Sequence, residues 1–543
     1  MARQKNPKHE GENFVLPVPS DTNGKAQGQK KNLPAQRADT AVGEATVPIH
    51  FHQEEKRRLF SQLGLLLAII VVLAASVLIF VFRPTSYDER TNSVHFIYHP
   101  DSNTTLVAVN GTERGEISGQ LRYKTYDRSG KVCAALVDDR LFLVKGKKVS
   151  EIATTVTDCV LSASGDALAW RSAENKLYYA IVGDKDGVSC ISQKTEDPRY
   201  ALSPDGKEMF YTYVDSDGVT RCDVYSRTGS KPYFSNDTAL YPIAVSNDCR
   251  YLYYTDANGA LFVWTPREET KVECAKLPDL AGLAFNRDLS QLMLRDGSKT
   301  LLFVKGQGVR LPDMSSDDTL ELIPNQRVAV RPLITGYQYL TDSLLDSYYV
   351  RRTGTTVELV YLTQKKDQGT LAKIAFVDDA AGVTVTDKRV FFLSTSDSGD
   401  TRHTNLYVCK TGKTVAEILH WDVSHYLPNV DGSRLVYVDK HGALYGHRLG
   451  ADPIRLSDTV VAESLCLTAD DMFYFCVREG ELWVSDNAEG ARSVSSDVDR
   501  VMADSFTVFY ATEMDETGLG KIYSNYRGQR KSELLIERAA WVQ

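Results

Sequence analysis

The chain lacks the sequence patterns of zinc sites, small disulfide scaffolds and serine hydrolases. Its nine cysteines show no C-x-x-C spacing and are scattered over several hundred residues, so a zinc ribbon or a disulfide-stapled domain fits poorly. Neither H-E-x-x-H nor G-x-S-x-G occurs. We expect most cysteines to be buried small hydrophobes, with a bridge from Cys190 to Cys222 or Cys249 as the alternative. No motif assigns a catalytic residue, a cofactor or a metal.

The chain also lacks an excess of basic residues. Its 63 Lys/Arg are outnumbered by 71 Asp/Glu, which gives a net charge of −8. Because the phosphates of nucleic acids require a basic surface, we expect no nucleic-acid partner.

Only one long uncharged hydrophobic run is present, over residues 59–82. As a helix it would reach roughly 36 Å, enough to cross a hydrocarbon core of about 30 Å. A cleaved signal peptide is shorter and begins near residue 1, and a buried core helix normally shows a polar face. The run therefore predicts a single transmembrane helix in contact with membrane lipid.

The charges flanking this run predict its orientation. Lys56, Arg57 and Arg58 precede it, whereas Arg83 is soon followed by acidic residues. The positive-inside rule places residues 1–58 in the cytoplasm and the remainder outside the plasma membrane. Residues 1–58 are polar and aperiodic, which predicts a disordered tail. We expect residues 83–119 to be a juxtamembrane linker with the first strands.

A repeat of about 40 residues fills most of the chain after residue 120. Each copy has a polar turn, an alternating strand, a second turn and a strand ending in an aromatic residue. Asp, Asn and Gly at these turns supply the backbone conformations that hairpins need. The predicted repeat turns include Gly165, Asp205, Gly206, Asp248, Asp288, Asp387, Asp431, Gly432 and Asp470.

This pattern predicts an all-β chain that folds as a β-propeller over residues 120–543. Residues 203–226 are the clearest copy: Ser-Pro-Asp-Gly-Lys, an apolar strand, Asp-Ser-Asp-Gly and Asp-Val-Tyr. They resemble the WD-like repeat of TolB-like propellers and of dipeptidyl-peptidase-type propellers. The hydrolase domain that accompanies the latter is not indicated, because no G-x-S-x-G occurs.

The blade number is less defined than the fold. No repeat turn is visible between Asp288 and Asp387, a span that fits one unit with an insertion or two eroded units. Propellers usually have four to eight blades. We therefore expect one ring of seven or eight blades, with two consecutive smaller propellers as the alternative.

Two residue types could build a site. Asp-rich turns suggest calcium, but no EF-hand pattern follows them and turn capping explains the aspartates. His420, His425, His441 and His447 could form two pairs across hairpins and hold a metal, although ordinary packing roles are favoured. Trp264 and Trp483 recur at one repeat position, which indicates packing between sheets.

Three functions are compatible with these features. The first is a non-enzymatic, membrane-anchored module whose propeller binds a protein, peptide or glycan of the cell envelope. The second is an envelope hydrolase or lyase with an active site in the propeller funnel. The third is a ligand sensor that signals through the N-terminal tail. The topology and the repeats favour the first.

Overall fold

The computed structural model describes residues 92–541 except 185–187, 193–198, 215–216, 227–228, 236–239, 277, 298, 316, 327–329, 334–335, 366–367 and 399–400. The predicted tail, the predicted transmembrane helix and Lys56, Arg57, Arg58 and Arg83 lie outside these residues. Within the described part, the chain forms strands and three short 3-10 segments, so the prediction of an all-β fold is confirmed. No helix in this part is long and apolar enough to cross a membrane.

The strands form eleven sheets, which follow one another along the chain. Sheet 1 comprises β1 (Val94–His99), β2 (Thr104–Val109) and β3 (Thr112–Ser118). Sheet 2 comprises β4 (Leu121–Tyr126), β5 (Val132–Val137), β6 (Arg140–Lys145) and β7 (Lys148–Ala153). Sheet 3 comprises β8 (Val156–Leu161), β9 (Ala167–Ser172), β10 (Leu177–Ile181) and β11 (Val188–Ser192). Sheet 4 comprises β12 (Tyr200–Leu202), β13 (Glu208–Val214), β14 (Thr220–Ser226) and β15 (Gly229–Ser235).

The middle of the chain contains the one sheet with extra strands. Sheet 5 comprises β16 (Tyr241–Val245), β17 (Leu252–Thr255), β18 (Leu261–Thr265) and β19 (Thr270–Ala275). Sheet 6 comprises β20 (Ala284–Asn286), β21 (Gln291–Asp296), β22 (Lys299–Val304) and β23 (Gln307–Val309), joined by β25 (Val330–Leu333) and β26 (Gly336–Thr341). Sheet 7 comprises β24 (Thr319–Ile323), β27 (Ser347–Thr353), β28 (Thr356–Lys365) and β29 (Gln368–Phe376).

The last four sheets return to the regular four-stranded pattern. Sheet 8 comprises β30 (Val383–Val385), β31 (Arg389–Ser398), β32 (Thr401–Lys410) and β33 (Ala416–His420). Sheet 9 comprises β34 (Val423–Pro428), β35 (Arg434–Asp439), β36 (Leu444–Arg448) and β37 (Ile454–Ser457). Sheet 10 comprises β38 (Val461–Leu467), β39 (Met472–Cys476), β40 (Leu482–Asp486) and β41 (Ala491–Ser495). Sheet 11 comprises β42 (Val498–Asp504), β43 (Thr507–Thr512), β44 (Leu519–Tyr526) and β45 (Glu533–Ala540).

Eleven hydrophobic clusters join these sheets into a ring. Each pair of consecutive sheets shares one cluster, and the eleventh cluster packs Phe509 of sheet 11 against Ile97 and Leu106 of sheet 1. At the same seam, Ser524 Oγ donates a hydrogen bond to Gly111 O at 2.6 Å. The β-propeller is confirmed, but with eleven blades. The expected number of seven or eight was wrong, and one closed ring replaces the alternative of two smaller propellers.

A buried polar residue at the first turn of most blades explains the repeat. Ser203 Oγ accepts a hydrogen bond from Glu208 N at 3.0 Å, while Gly206 N donates to Ser203 O at 2.9 Å. This pair of bonds fixes the turn between the first and second strands. The equivalent residues in other blades are Asp127, Ser162, Ser246, Asn286, Thr386, Asn429 and Thr468, each less than 9% exposed.

Two irregular blades account for the misjudged number. In sheet 7, the connection between β24 and β27 contains the β25–β26 hairpin, so the span between Asp288 and Asp387 is one unit with an insertion. Sheet 1 contains no first strand among the described residues. Asn110 N donates a hydrogen bond to Ser93 O across β1 and β2, and Gly146 N donates the equivalent bond to Lys131 O across the second and third strands of sheet 2. The strands β1 and β2 therefore correspond to the second and third strands of a regular sheet.

The strand order defines two faces of the ring. First strands of neighbouring sheets contact each other, so they lie innermost around the axis. Because strands within a sheet alternate in direction, the turns between first and second and between third and fourth strands share one side, which we name the turn face. The turns between second and third strands and the links between sheets share the other side, the link face.

Candidate functional site

The predicted repeat turns lie on the turn face, where they connect neighbouring blades. Gly206 has φ +70°, and a Cβ there would lie 2.9 Å from the Ser162 side chain of the preceding sheet. Asp205 N donates to Asn247 Oδ1 of the following sheet at 2.9 Å. Gly165 and Gly432 also have positive φ and face the sheet before them. These glycines are required by backbone conformation and by the close approach of adjacent blades.

The aspartates of these turns accept local hydrogen bonds. Asp431 accepts Ser433 N at 2.8 Å and Lys388 Nζ of the preceding sheet at 2.7 Å. Burial opposes ionisation of Asp431, but these donors prevail and hold its pKa well below the usual range. The other aspartates act similarly or pair with nearby cations: Asp205 accepts Lys207 N, Asp248 pairs with Arg250, Asp288 accepts Ser290 N, and Asp470 accepts Thr468 Oγ1. At Asp387, the main-chain N–H donates to Val430 O.

Turn chemistry therefore accounts for the aspartates that suggested calcium. Asp215 and Ser216, the first two residues of the most Asp-rich turn, lie outside the described residues. In the part of the chain that the structure describes, no group of three His, Cys, Asp or Glu residues is arranged to hold a metal ion.

The nine cysteines all fall in described positions, and none is bonded to another. Seven are buried, Cys466 is half-buried and Cys190 is exposed. The expectation that they serve as small hydrophobes agrees with these positions. Trp264 and Trp483 pack against clusters between neighbouring sheets, in line with their predicted role.

The four histidines of the predicted cluster occupy two separate places. His420 Nε2 lies 2.7 Å from His447 Nδ1, and the His420 ring stacks on Tyr437 with 4.0 Å between centroids. This pair bridges sheets 8 and 9. Burial, followed by the neighbouring His447, lowers the pKa of His420 to about 4, and burial also lowers the pKa of His447. The pair therefore favours the neutral imidazole in the folded protein.

We expect this pair to make folding sensitive to acid. A His whose folded pKa is lowered contributes its full stability above the unfolded pKa of about 6.5 and loses it as pH falls towards the folded value. Because His420 is partly exposed, we expect a loss of about 1–2 kcal/mol between pH 7.5 and pH 5 from this group. His420→Phe should be less sensitive to acid by that amount in urea unfolding at the two pH values. Equal losses in the two proteins would contradict the assignment.

His425 and His441 line a cavity on the link face, between sheets 9 and 10. The cavity has a volume of about 400 Å³ and is formed by residues 424–425, 438–442, 460–463 and Arg478. These residues come from the start of β34, the β35–β36 turn, the link into β38 and the β39–β40 turn. We name it the link-face cavity. Its walls are turns and strand ends positioned by the ring, an arrangement common in binding sites.

Charged side chains surround the link-face cavity. Asp439 Oδ1 accepts hydrogen bonds from His441 N at 2.8 Å and Ala443 N at 3.0 Å, which shapes the β35–β36 turn. Lys440 Nζ bonds to Asp422 Oδ2 at 2.8 Å, and His403 Nδ1 lies 2.6 Å from Asp422 Oδ1. These contacts, that of Lys440 first, hold the pKa of Asp422 below its usual range. The turn and the neighbouring sheet 8 are thus fixed relative to each other.

One wall of the cavity is an enlarged bulge in β38. In sheets 2, 3, 5, 9 and 11, the first strand carries a one-residue bulge near its start, as between Val423 and His425. In β38, Val461 is opposite Cys476 and Cys466 is opposite Tyr474. An advance of five residues along β38 is therefore matched by an advance of only two residues along β39. Two more residues are therefore looped out here than in those five sheets. Ser464 Oγ holds the loop by donating to Val461 O at 2.6 Å and accepting from Cys476 N at 2.7 Å.

Comparisons with known proteins assign no family to the chain. No family model matches it, and no curated protein does. TolB from Acinetobacter baumannii is a structural neighbour with 13% identity and a TM-score of 0.28, covering 41% of this chain and 63% of its own. A eukaryotic initiation factor covers 83% of this chain at 8% identity with a TM-score of 0.33, and 98% of its own length.

A third neighbour is the tricorn protease, with 10% identity and a TM-score of 0.26, covering 84% of this chain and 63% of its own. This chain therefore spans less than two thirds of the TolB and tricorn chains. TolB proteins are among its structural neighbours, as the repeat resemblance led us to expect. Scores this low carry no argument about function, and the resemblance to dipeptidyl-peptidase propellers stays a prediction.

The sequence indicated only part of this site. The histidine cluster identified His425 and His441, but it joined them with His420 and His447, which lie at another interface. Arg478, Lys440 and Glu463 were not singled out, because charged residues in surface turns show no periodicity.

Proposed function

We propose that this chain is a non-enzymatic binding protein of the cell envelope. In this proposal, residues 59–82 anchor it once in the plasma membrane, residues 1–58 stay in the cytoplasm, and the ring lies outside. The ring presents its link face to a protein, peptide or glycan partner. The link-face cavity is the observation that carries the proposal, because it gathers exposed polar and charged side chains from four segments of two sheets.

One crosslinking experiment tests both the binding face and its location. The chain is produced at full length with Cys190→Ser, which removes the exposed thiol, and with Glu463→Cys at the cavity. A membrane-impermeant, thiol-reactive photo-crosslinker is then added to intact cells. We expect labelling from outside, followed on illumination by a discrete crosslinked species.

Glu268→Cys in the same background is the matched control, because Glu268 lies in the β18–β19 turn on the turn face. The proposal is supported if both proteins are labelled and a crosslinked species forms only from the cavity position. Labelling of neither protein in intact cells would contradict the external location. Identical crosslinked products from the two positions, or none, would contradict a binding role for the link face.

A further inference from the structure

We propose that the link-face cavity binds a short acidic peptide segment, with a carboxylate held by Arg478 and His441 and an apolar side chain against Val461 and Ala462. This inference rests on the proposed binding function and specifies the chemistry of its ligand. Four observations carry it: Arg478 beside the turn of His441, the apolar wall of the cavity, the enlarged bulge and a described lining without aromatic residues.

The donors of the lining, rather than its overall charge, favour an anionic ligand group, because its two cations, Lys440 and Arg478, are balanced by the carboxylates of Asp439 and Glu463. Arg478, His425 and His441 are exposed, and among the described residues none of them has an ion-pair partner. The Asp439 carboxylate is engaged by the main chain of its own turn, which leaves Glu463 as the one lining carboxylate without such a role. Arg478 Nη2 lies 3.7 Å from the position that a Cβ of residue 442 would occupy, so the guanidinium lies over the turn that carries His441. A guanidinium beside imidazole donors suits a carboxylate, which accepts two hydrogen bonds in one plane.

The bulge favours a peptide over a glycan. Residues 462–465 have no partner on β39, so main-chain groups of the cavity wall lie outside the sheet ladder and are suited to bond an extended peptide. Val461, with 38% of its surface exposed, supplies an apolar contact at the same wall. Sugar-binding sites rely on aromatic rings, and the described cavity lining contains no Phe, Tyr or Trp.

Fluorescence anisotropy on the full-length chain in detergent micelles tests the inference. The probe is a fluorescein-labelled hexapeptide of alternating leucine and glutamate, and its neutral counterpart has glutamine in place of glutamate. We expect the acidic probe to bind, the neutral probe to bind at least tenfold more weakly, and added salt to weaken the acidic probe selectively. Arg478→Gln should weaken the acidic probe at least tenfold, and Arg478→Lys should weaken it less, since one charge remains.

Arg267→Gln is the matched control, because Arg267 is an exposed cation in a turn on the opposite face. It should leave the affinity unchanged, and unfolding curves should show that Arg478→Gln remains folded. Equal affinity for acidic and neutral probes, or an unchanged affinity in Arg478→Gln, would overturn the inference. An oligogalacturonate that binds more tightly than the peptide in an Arg478-dependent way would overturn it in favour of a glycan.

The inference and the proposed function fail in different ways. If the Glu463→Cys protein still forms a crosslinked species while no acidic probe binds, the acidic-peptide ligand is disproved and the binding function stands. The loss of both the crosslinked species and the probe would remove the binding function itself.

Discussion

Gly446→Ala is expected to lower the free energy of unfolding by about 2–3 kcal/mol. Gly446 lies in β36 of sheet 9, and a Cβ there would lie 2.8 Å from the carbonyl carbon of Ala488 and closer still to its oxygen. Ala488 is only 2% exposed and sits in the tight β40–β41 turn with φ +59°. A main-chain carbonyl held in this way cannot rotate aside as a flexible side chain would, so the two sheets must move apart.

The entropic benefit of replacing glycine does not offset this overlap. Alanine in place of glycine stabilises a compatible site by about 0.4–1 kcal/mol through the unfolded state. Gly490→Ala is the matched control, because a Cβ at that position would meet nothing within 4 Å. We expect it to change the stability by less than about 0.5 kcal/mol in the same urea titration. Equal stability of the two variants would show that sheet 10 does not pack this closely on sheet 9.

The regular blades could be predicted because their turns depend on local chemistry. A buried polar residue, an aspartate or asparagine and, in four blades, a glycine close the first turn with hydrogen bonds spanning six residues or fewer, so the signal is visible in a short stretch such as 203–208. The structure added the burial of Ser203 and its equivalents and their hydrogen bonds to the second strand. Their burial depends on the neighbouring sheet, which no single copy of the repeat contains.

The blade number could not be predicted because sheet 1 lacks a first strand among the described residues and sheet 7 lacks the repeat turn. β26 pairs in parallel with β20, with Ala284 opposite Tyr339, so the hairpin that interrupts sheet 7 adds to the inner edge of sheet 6. Pairing between segments so far apart in the chain produces no repeated pattern in the sequence. The expected number of seven or eight blades followed from the usual upper limit of about eight, and it was too small.

The candidate site was harder to predict than the fold. Its polar and charged residues come from four segments that approach each other only after two sheets pack, and the clustered histidines were their one sign in the sequence. The enlarged bulge in β38 is defined by pairing with β39, so it appears only when the register is known.

Phe509→Ala is expected to lower the free energy of unfolding by about 3–5 kcal/mol, the largest effect we predict. Phe509 is fully buried where sheet 11 meets sheet 1, packed with Ile97 and Leu106 and 4.2 Å from the ring of His95. Truncation leaves a cavity at the seam that closes the ring. Phe475→Ala is the matched variant, because Phe475 is equally buried between sheets 9 and 10, within the ring.

The comparison of these two variants tests whether the ring is closed. In a closed ring, every interface is held by sheets on both sides, so the two truncations should cost similar free energies in one cooperative urea transition. In an open arc, the end sheets could detach alone, because each terminal unit contacts a single neighbour. Phe509→Ala would then speed hydrogen exchange in sheets 1 and 11 while leaving the main transition in place. Such a result would contradict the eleven-bladed closed ring, whereas parallel losses of about 3–5 kcal/mol in both variants are what closure through Phe509 requires.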